Sequence, residues 1–171
     1  ITLSKIKSDK MFLENGISAP KYYPNCDPPY IIKPVSESGS HGVKKIDTEK
    51  ELIEYKKTIG NEKLIIQEYL EGPSYSVEII GNGEIYRTYA ITKIHMDNVF
   101  DCCQVTAPTI LTMEEEVKFS EIAIRIAKII KLNGIMDVEV IYAKGEFKVL
   151  EIDARIPSQT PAVVLKSSGM S

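Results

Sequence analysis

The fold is decided near the end of the chain by one stretch, IMDVEVIYAKGEFKVLEID, which covers residues 135–153. Apolar and polar residues alternate along both halves of this stretch, as they do in strands that have one face on a core. The halves, Ile135 to Tyr142 and Glu146 to Ile152, are separated only by Ala143-Lys144-Gly145, which is short enough for a hairpin turn. The stretch therefore predicts two neighbouring antiparallel strands.

Carboxylates occupy matching positions in the two halves of this hairpin. Side chains two residues apart point to the same face of a strand, so the acidic residues should crowd one face of the sheet. They would repel one another there unless a divalent cation that prefers oxygen ligands, such as Mg²⁺, bound among them. The alternative is a solvated acidic face, and the following Arg155 with the proline-containing segment 156–161 favours a site. The carboxylates are those of Asp137, Glu139, Glu151 and Asp153.

A second group of residues places a lysine before a loop of serines and glycines. Tyr30 to Ile32 predicts a short strand, Ser36 to Gly42 forms the loop, and Val43 to Ile46 predicts a returning strand. Small residues let backbone N–H groups approach anionic oxygens, and Lys33 adds a point charge. The alternative is a plain hairpin, because the Gly-Lys-Ser/Thr of a Walker A loop is absent. The lysine at the strand end favours phosphate binding.

A third group ends the strand that begins at Leu64. This strand becomes polar in Gln67-Glu68-Tyr69-Leu70-Glu71 and stops at Gly72-Pro73. Main-chain groups at such a point can bind the edge of a nucleobase, and the alternative is a strand that simply leads into a turn. The Gly72-Pro73 break also divides the chain into two predicted lobes, a small one over residues 1–71 with the loop and a larger one over 72–171 with the carboxylates.

Three helices complete the predicted pattern. Ser4, Thr48 and Thr112 are N-cap residues, and the two threonines open capping boxes. Gly16 and Gly134 are predicted to end the first and the third helix. Mixed helices and strands in two lobes fit an α+β fold better than a repeated parallel βαβ sheet. The helices are predicted over residues 5–15, 49–59 and 113–132.

Composition narrows the class of protein. The 171 residues include 21 Lys and Arg against 24 Asp and Glu, a formal net charge of −3, which argues against binding to nucleic acid or to anionic membranes. The sequence contains no apolar run of about 18 residues, the length that would predict a membrane-spanning helix. Its 3 cysteines are too few for a disulfide framework. We expect a cytoplasmic protein. Because the chain opens at Ile1 without Met or a signal peptide, we expect it to be a piece of a longer protein.

In their order along the chain, these groups resemble the ATP-grasp carboxylate–amine ligases. The resemblance covers nearly all of the chain. Its specific features are the spacing of 12 between Glu139 and Glu151 and the spacing of 11 between Lys5 and Gly16. The resemblance implies an α+β ATP-grasp fold with two lobes that hold a nucleotide between them. It also implies an N-terminal α/β domain that this piece does not include.

The resemblance further implies ATP and Mg²⁺ as cofactors and a role for each group. Lysines and the loop would contact the phosphates, and the residues from Gln67 onward the adenine and ribose. The residues implied to bind ATP are Lys5, Lys33, Ser38, Gly39, Ser40, His41, Gln67, Glu68, Leu70 and Glu71. Those implied to hold Mg²⁺ are Glu139, Glu151 and Asp153, and those implied to bind the amino-acid substrate are Ser158, Gln159 and Thr160. Arg155 would face the transferred phosphate as a catalytic residue. Ser74 stands where many family members carry a ribose-binding glutamate.

A narrower resemblance is carried by Asp153, in place of the asparagine common in the family, and by the segment Pro157 to Pro161. These residues are similar to a branch of amino-acid ligases that act in pyrrolysine biosynthesis. The implied reaction is phosphorylation of a carboxylate by ATP, followed by attack of an amine on the acyl phosphate. It would join 3-methyl-D-ornithine to the ε-amine of L-lysine.

Small-molecule amino acids are the expected partners, without nucleic acid or membrane, and an oligomer is possible. One alternative is another ATP-grasp ligase, of the D-alanine–D-alanine or carboxylase type. The others are a nucleotide-binding module without catalysis and a plain interaction domain. The complete set of acidic residues with Arg155 favours an enzyme.

Overall fold

The computed structural model of the protein describes residues 5–35, 42–59, 63–153 and 165. Helices mix with antiparallel strand pairs, which confirms the predicted α+β class. Within the described part of the chain, no helix has the length and apolar character that a membrane crossing requires. The elements are α1 (Lys5–Glu14), β1 (Tyr30–Pro34), β2 (Lys44–Ile46), α2 (Glu49–Thr58), β3 (Leu64–Glu68), β4 (Ser74–Asn82), β5 (Tyr86–Met96), β6 (Cys102–Thr106), α3 (Met113–Ile129), β7 (Asn133–Ala143) and β8 (Glu146–Asp153).

The chain forms two compact units. The large unit contains Ile1–Ala19, Gly72–His95 and Gln104–Ser171, and the small unit contains Pro20–Glu71 and Met96–Cys103. The chain leaves the large unit after Ala19 and returns to it at Gly72, where the sequence predicts a lobe boundary. Residues 1–19 group with the large unit rather than with the predicted lobe 1–71, because Phe12 and Ile17 are buried in the core of the large unit.

The small unit is built on a three-stranded sheet with the order β2-β1-β3. Its pairing is regular along both ladders, so side chains alternate strictly between the two faces. One face packs on α2, which begins where Thr48 accepts a hydrogen bond from the Glu51 N–H at 3.2 Å, as its predicted N-cap role requires. The buried apolar residues that pack on this side are Tyr30, Ile32, Ile46 and Leu52, and Ile65 is buried on the opposite face.

The large unit is built on a five-stranded sheet with the order β6-β5-β4-β7-β8. Helix α3 begins at the complete capping box of Thr112 and packs on one face of this sheet. Its buried residues recur at the three- and four-residue spacing of one helix face. They are Phe119, Ala123, Ile126 and Ala127. The sheet contributes Tyr75, Val77, Ile79, Met136, Val138, Val140, Phe147 and Val149 to the same core.

Helices α1 and α3 end in the same hydrogen-bonded motif. In each, the second residue after the helix cap donates its N–H to a carbonyl five residues earlier, at 2.9 Å. Gly16 takes the left-handed position after α1 with φ 60°, as predicted, whereas Lys131 takes it after α3 with φ 49°. The prediction that Gly134 ends α3 is wrong, because this glycine lies within β7. Burial of Leu132 stabilises the motif and makes a glycine unnecessary.

Strand β8 contains a bulge that the alternating pattern does not predict. Glu139 pairs with Glu151, but the next residue of β7, Val140, pairs with Val149. Leu150 is therefore an extra residue in β8. A regular strand would point Val149 and Glu151 to the same face, and the bulge points them to opposite faces.

Candidate functional site

Carboxylates face one another in pairs across β7 and β8. Asp137 pairs with Asp153, and Glu139 pairs with Glu151. Side chains of directly paired residues share a face, so these acidic residues lie on one face of the sheet, as the sequence predicts. Asp137 is buried and the other three are half-buried. The bulge at Leu150 produces this arrangement, because it turns Glu151 and Asp153 away from the hydrophobic core.

Strand β4 extends this polar face. Ser76 pairs with Glu139, and Glu78 pairs with Asp137, so both side chains join the same face. Ser76 and Glu78 are only 1% and 2% exposed, and Ser76 Oγ donates a hydrogen bond to Asp137 Oδ2 at 3.3 Å. The alternation of polar and apolar residues along β4 is the sequence signal for them, but it does not reveal which strands are neighbours. Burial of charge is costly unless hydrogen bonds or cations compensate it.

The donor chemistry of this face fits Mg²⁺. Carboxylate oxygens are the ligands that hard divalent cations prefer, and Glu139, Glu151 and Asp153 keep part of their surface exposed. Among the described residues, no three His, Cys, Asp or Glu side chains are grouped closely enough to hold one metal ion. The metal-binding role of these three residues therefore stays a prediction.

The sheet of the small unit presents a second polar face, on the side away from α2. Lys33 pairs with Ile65, and Gln67 pairs with Ile31, which places the lysine and the glutamine on this face. Lys45 also pairs with Ile31 and joins them. Lys45 is not evident from the sequence, because the loop before β2 conceals the register of the two strands. The regular register thus gathers two lysines and the buried Gln67 amide on one face, beside Ile31 and the buried Ile65.

Lys45 is held by its neighbours on this face. Its Nζ lies 2.8 Å from Asp47 Oδ1 and 4.8 Å from the ring centroid of Tyr69. The hydrogen bond to Asp47 raises the pKa of Lys45. The side chain therefore stays cationic beside the end of β3.

The main chain at the end of β3 is partly occupied by internal hydrogen bonds. The Glu68 N–H donates to the Lys21 carbonyl and the Tyr69 N–H to the Pro29 carbonyl, both at 2.9 Å. The Glu68 carboxylate accepts from the Lys21 N–H, also at 2.9 Å. A nucleobase edge would therefore have to meet other groups here, and its predicted contacts with the main chain of Glu68 and Leu70 stay a prediction.

Glu49 of α2 is hydrogen-bonded to β1, the strand that carries Lys33. Tyr30 Oη donates to Glu49 Oε2 at 2.6 Å, and Tyr23 Oη donates to Glu49 Oε1 at 3.0 Å. The hydrogen bonds from Tyr30 and Tyr23 lower the pKa of Glu49, and they raise the pKa of both phenols. Because Tyr30 begins β1, this cluster fixes β1 against α2.

Several predicted site residues lie outside the described part of the chain. They are Ser38, Gly39, Ser40, His41, Arg155, Ser158, Gln159 and Thr160. Their roles stay predictions. Lys5 is the first residue of α1 and belongs to the large unit, as do the paired carboxylates, whereas Lys33 and Gln67 belong to the small unit.

A groove in the large unit lies apart from these groups. It runs between β5 and α3 and has a volume of about 520 Å³. Tyr89, Met113 and Val117 line it together with Glu116 and Glu121. Within the described residues, its lining includes no predicted site residue.

The order of the elements and the two polar faces define a class of protein. Residues 2–159 match the ATP-grasp domain family. The chain belongs to the ATP-grasp family, as the order of its motifs predicts.

Particular relatives refine this assignment. The chain is 39% identical over its full length to the 3-methyl-D-ornithine–L-lysine ligase of Methanosarcina acetivorans and 36% identical to that of Methanosarcina barkeri. The predicted resemblance to this branch is confirmed. The chain spans 44% of the length of each of these relatives. The D-alanine–D-alanine ligase of Christiangramia forsetii is 29% identical over 80% of the chain and 45% of its own length.

Solved structures share the fold. The biotin carboxylase domain of the Hydrogenobacter thermophilus 2-oxoglutarate carboxylase, determined as a dimer with MgADP and bicarbonate, matches with a TM-score of 0.85 and 17% identity, over 98% of this chain and 43% of that one. The L-amino acid ligase of Bacillus licheniformis matches with a TM-score of 0.81 and 20% identity, over 98% and 44%. These likenesses confirm that the chain has the ATP-grasp fold.

Proposed function

We propose that this chain is the ATP- and Mg²⁺-binding part of a ligase that forms an amide bond between an amino-acid carboxylate and an amine. The proposed substrates are 3-methyl-D-ornithine and the ε-amine of L-lysine. The observation that carries the proposal is the pairing of Glu139 with Glu151 and of Asp137 with Asp153 on one sheet face of an ATP-grasp domain. The 39% identity to the Methanosarcina acetivorans ligase supports the choice of substrates.

The proposed reaction has two steps. A carboxylate oxygen of the first amino acid attacks the γ-phosphorus of ATP, the bond to the ADP oxygen breaks, and an acyl phosphate forms. The lysine ε-amine, after losing a proton from its ammonium form, attacks the acyl carbon. The C–O bond to phosphate breaks, and the nitrogen releases a second proton as the amide forms. ADP, inorganic phosphate and the amide are the products.

The proposed roles in the large unit concern the phosphates. Glu139, Glu151 and Asp153 would hold Mg²⁺, which when bound neutralises charge that spreads over the transferred phosphoryl group. Lys5 would contact the phosphates as a point charge, and Arg155 would face the group in transfer. Glu78 and Asp137 are buried on the same face and add two carboxyl groups beside the proposed metal ligands.

The proposed roles in the small unit concern the rest of the nucleotide. Lys33 would contact the phosphates, Gln67 would meet the adenine edge, and Glu71 would bind the ribose. The loop residues from Ser38 to His41 would cover the acyl phosphate and exclude water that would hydrolyse it. In this proposal, Ser158, Gln159 and Thr160 of the large unit bind the amino-acid substrate.

The full-length protein tests this proposal directly. We would incubate it with ATP, Mg²⁺, 3-methyl-D-ornithine and L-lysine, and measure ADP and the conjugate by mass spectrometry. We expect one ADP for each conjugate, no conjugate when either amino acid is left out, and fragmentation that places the new amide on the lysine side-chain nitrogen. D-alanyl-D-alanine from D-alanine alone would favour the alternative ligase. ADP release without any conjugate would contradict the proposal.

A further inference from the structure

We infer that Arg125 is a positioning residue for Lys5: it binds the C-terminal end of α1 and thereby fixes the lysine at the opposite end of that helix. The inference rests on the proposed function, in which Lys5 contacts the ATP phosphates. It adds a residue outside every motif from which the ATP-binding role was predicted.

Arg125 reaches from α3 to the end of α1. Its Nη2 donates a hydrogen bond to the Asn15 carbonyl, and its Nη1 lies 3.5 Å from the Gly16 carbonyl. Carbonyls at a helix C-terminus have no partner within the helix, so an external donor satisfies them. A cation at this position also interacts favourably with the negative end of the helix dipole. The planar guanidinium suits two adjacent carbonyls, whereas a lysine offers a single ammonium.

The end of α1 is rigid enough to transmit this contact. The Ile17 N–H donates to the Phe12 carbonyl at 2.9 Å, and the Asn15 side-chain amide donates to the Met11 carbonyl at 2.9 Å. Phe12 and Ile17 are 0% and 6% exposed in the core of the large unit. These bonds fix the shape of the helix end, so the contact that Arg125 makes there acts on the whole helix as one body.

The residues after α1 are also tied to the strand that carries the acidic residues. The Val149 N–H donates to the Ser18 carbonyl at 2.9 Å, immediately before the bulge that turns Glu151 to the polar face. Arg125 and this backbone bond hold the segment after α1 at two different elements, α3 and β8. Helix α1 thus belongs to the body that carries the proposed metal ligands.

The length of α1 makes the position of its end important. Its 10 residues span about 15 Å, so a tilt of about 10° at the C-terminal end would move the Lys5 backbone by roughly 2–3 Å. A displacement of this size is enough to lose a phosphate contact. Loss of Arg125 should therefore weaken binding of the phosphates without affecting the adenosine moiety.

A double-mutant cycle on the full-length protein tests the inference. Dissociation constants for ATP and for adenosine would be measured by calorimetry for the wild type, Lys5→Met, Arg125→Gln and the double variant. We expect Lys5→Met to weaken ATP binding about 10-fold and Arg125→Gln about 3–5-fold, with adenosine binding unchanged. In the Lys5→Met background, Arg125→Gln should add less than about 1.5-fold, because the contact it positions is already lost. Arg125→Lys should recover part of the affinity.

Lys128→Gln is the matched control, since Lys128 is an exposed cation one turn further along α3. It should leave ATP affinity within about 1.5-fold of the wild type. Equal losses for ATP and adenosine, or the same loss from Arg125→Gln with and without Lys5, would overturn the inference while the proposed function stands. A wild-type protein that does not bind ATP would overturn both.

Discussion

The two sheets direct polar side chains to one face in different ways. In the small unit, the pairing of β1 with β2 and β3 is regular, and simple alternation places Lys33 and the buried Gln67 on the face opposite the core residues Tyr30 and Ile32. In the large unit, the bulge at Leu150 changes which residues of β8 point to the core: Phe147 and Val149 do so before it, and Ile152 does so after it. The first half of that strand supplies core residues, and the second half supplies carboxylates.

The difference shows what a bulge adds to a strand. In a regular strand, every second residue points to the same face over the whole length, so a series of core positions cannot be continued by residues on the polar face. The extra residue in β8 lets Val149 fill the core while Glu151 and Asp153 point to the opposite face. The sequence carries a trace of this change, because the spacing between core residues lengthens from two at Phe147 and Val149 to three at Ile152.

The largest effect should come from insertion of one alanine between Glu139 and Val140, which gives Leu150 a partner in β7 and makes the ladder regular. Glu139 and Glu151 would then lie two residues from Val140 and Val149 and point with them into the core, where burial of a carboxylate costs several kcal/mol. We expect the thermal unfolding midpoint to fall by at least ~10 °C, or cooperative unfolding to be lost. Differential scanning calorimetry measures either result.

A combined variant separates this explanation from general damage. Deletion of Leu150, added to the insertion, should restore much of the stability, because Glu151 then directly follows Val149 and alternation points it to the opposite face. An insertion variant as stable as its parent would show that the bulge does not determine the face to which these residues point.

The second effect tests the chemistry of the same face without changing its shape. Glu151→Gln removes one anionic oxygen ligand, and we expect Mg²⁺-dependent turnover to fall by at least ~10²-fold. The unfolding midpoint should change little, since Glu151 is half-buried on the polar face. Glu146→Gln, at the exposed start of β8, is the control and should keep activity. Turnover of Glu151→Gln within a few-fold of the wild type would remove this residue from the proposed metal site.

Features that depend on neighbours in the chain are predictable from the sequence. The capping threonines before α2 and α3, the glycine after α1 and the hairpin of β7 and β8 are all found where the pattern indicates. Each depends on hydrogen bonds or alternation within a few residues. The direct pairing of the carboxylates also needs the bulge at Leu150, because the register set by the turn alone would pair Glu139 with Leu150.

Features that depend on distant parts of the chain are not predictable in this way. Lys131 replaces a glycine because burial of the next residue stabilises the helix end, and Glu78 reaches the acidic face only through the register of β4 with β7. Arg125 meets residues more than 100 positions earlier in the chain. No local pattern encodes such contacts, and they become evident only when the packing is known.

The third effect tests the regular sheet. Lys33→Met removes a point charge from the polar face of β1, and ATP should bind about 10-fold more weakly while adenosine binding stays the same. Lys44→Met is the matched control, because Lys44 pairs with Ile32 and lies on the opposite face, over the Tyr55 ring. Isothermal titration with both ligands measures the difference. Equal weakening for ATP and adenosine would indicate a structural role for Lys33.

The smallest effect concerns the hydrogen bonds that hold the regular sheet against its helix. Tyr30→Phe removes the 2.6 Å bond to Glu49, and we expect the unfolding midpoint at pH 7 to fall by roughly 2–5 °C. Tyr55→Phe, which also removes a phenol hydroxyl next to this core, is the control and should change the midpoint less.

The pH dependence identifies the bond responsible. The hydrogen bond from Tyr30 lowers the pKa of Glu49 in the folded protein below its ordinary value of 4.5, so this stabilisation is present above that pH and is lost as the pH falls through the folded pKa. The same bond raises the pKa of Tyr30 above its ordinary value of 10.0, so the contribution is also lost as the pH rises through the raised value. The difference between wild type and Tyr30→Phe should therefore be constant from pH 5 to pH 9 and shrink below about pH 4. A difference that persists unchanged at pH 3 would show that the hydroxyl stabilises the sheet by packing rather than through the Glu49 carboxylate.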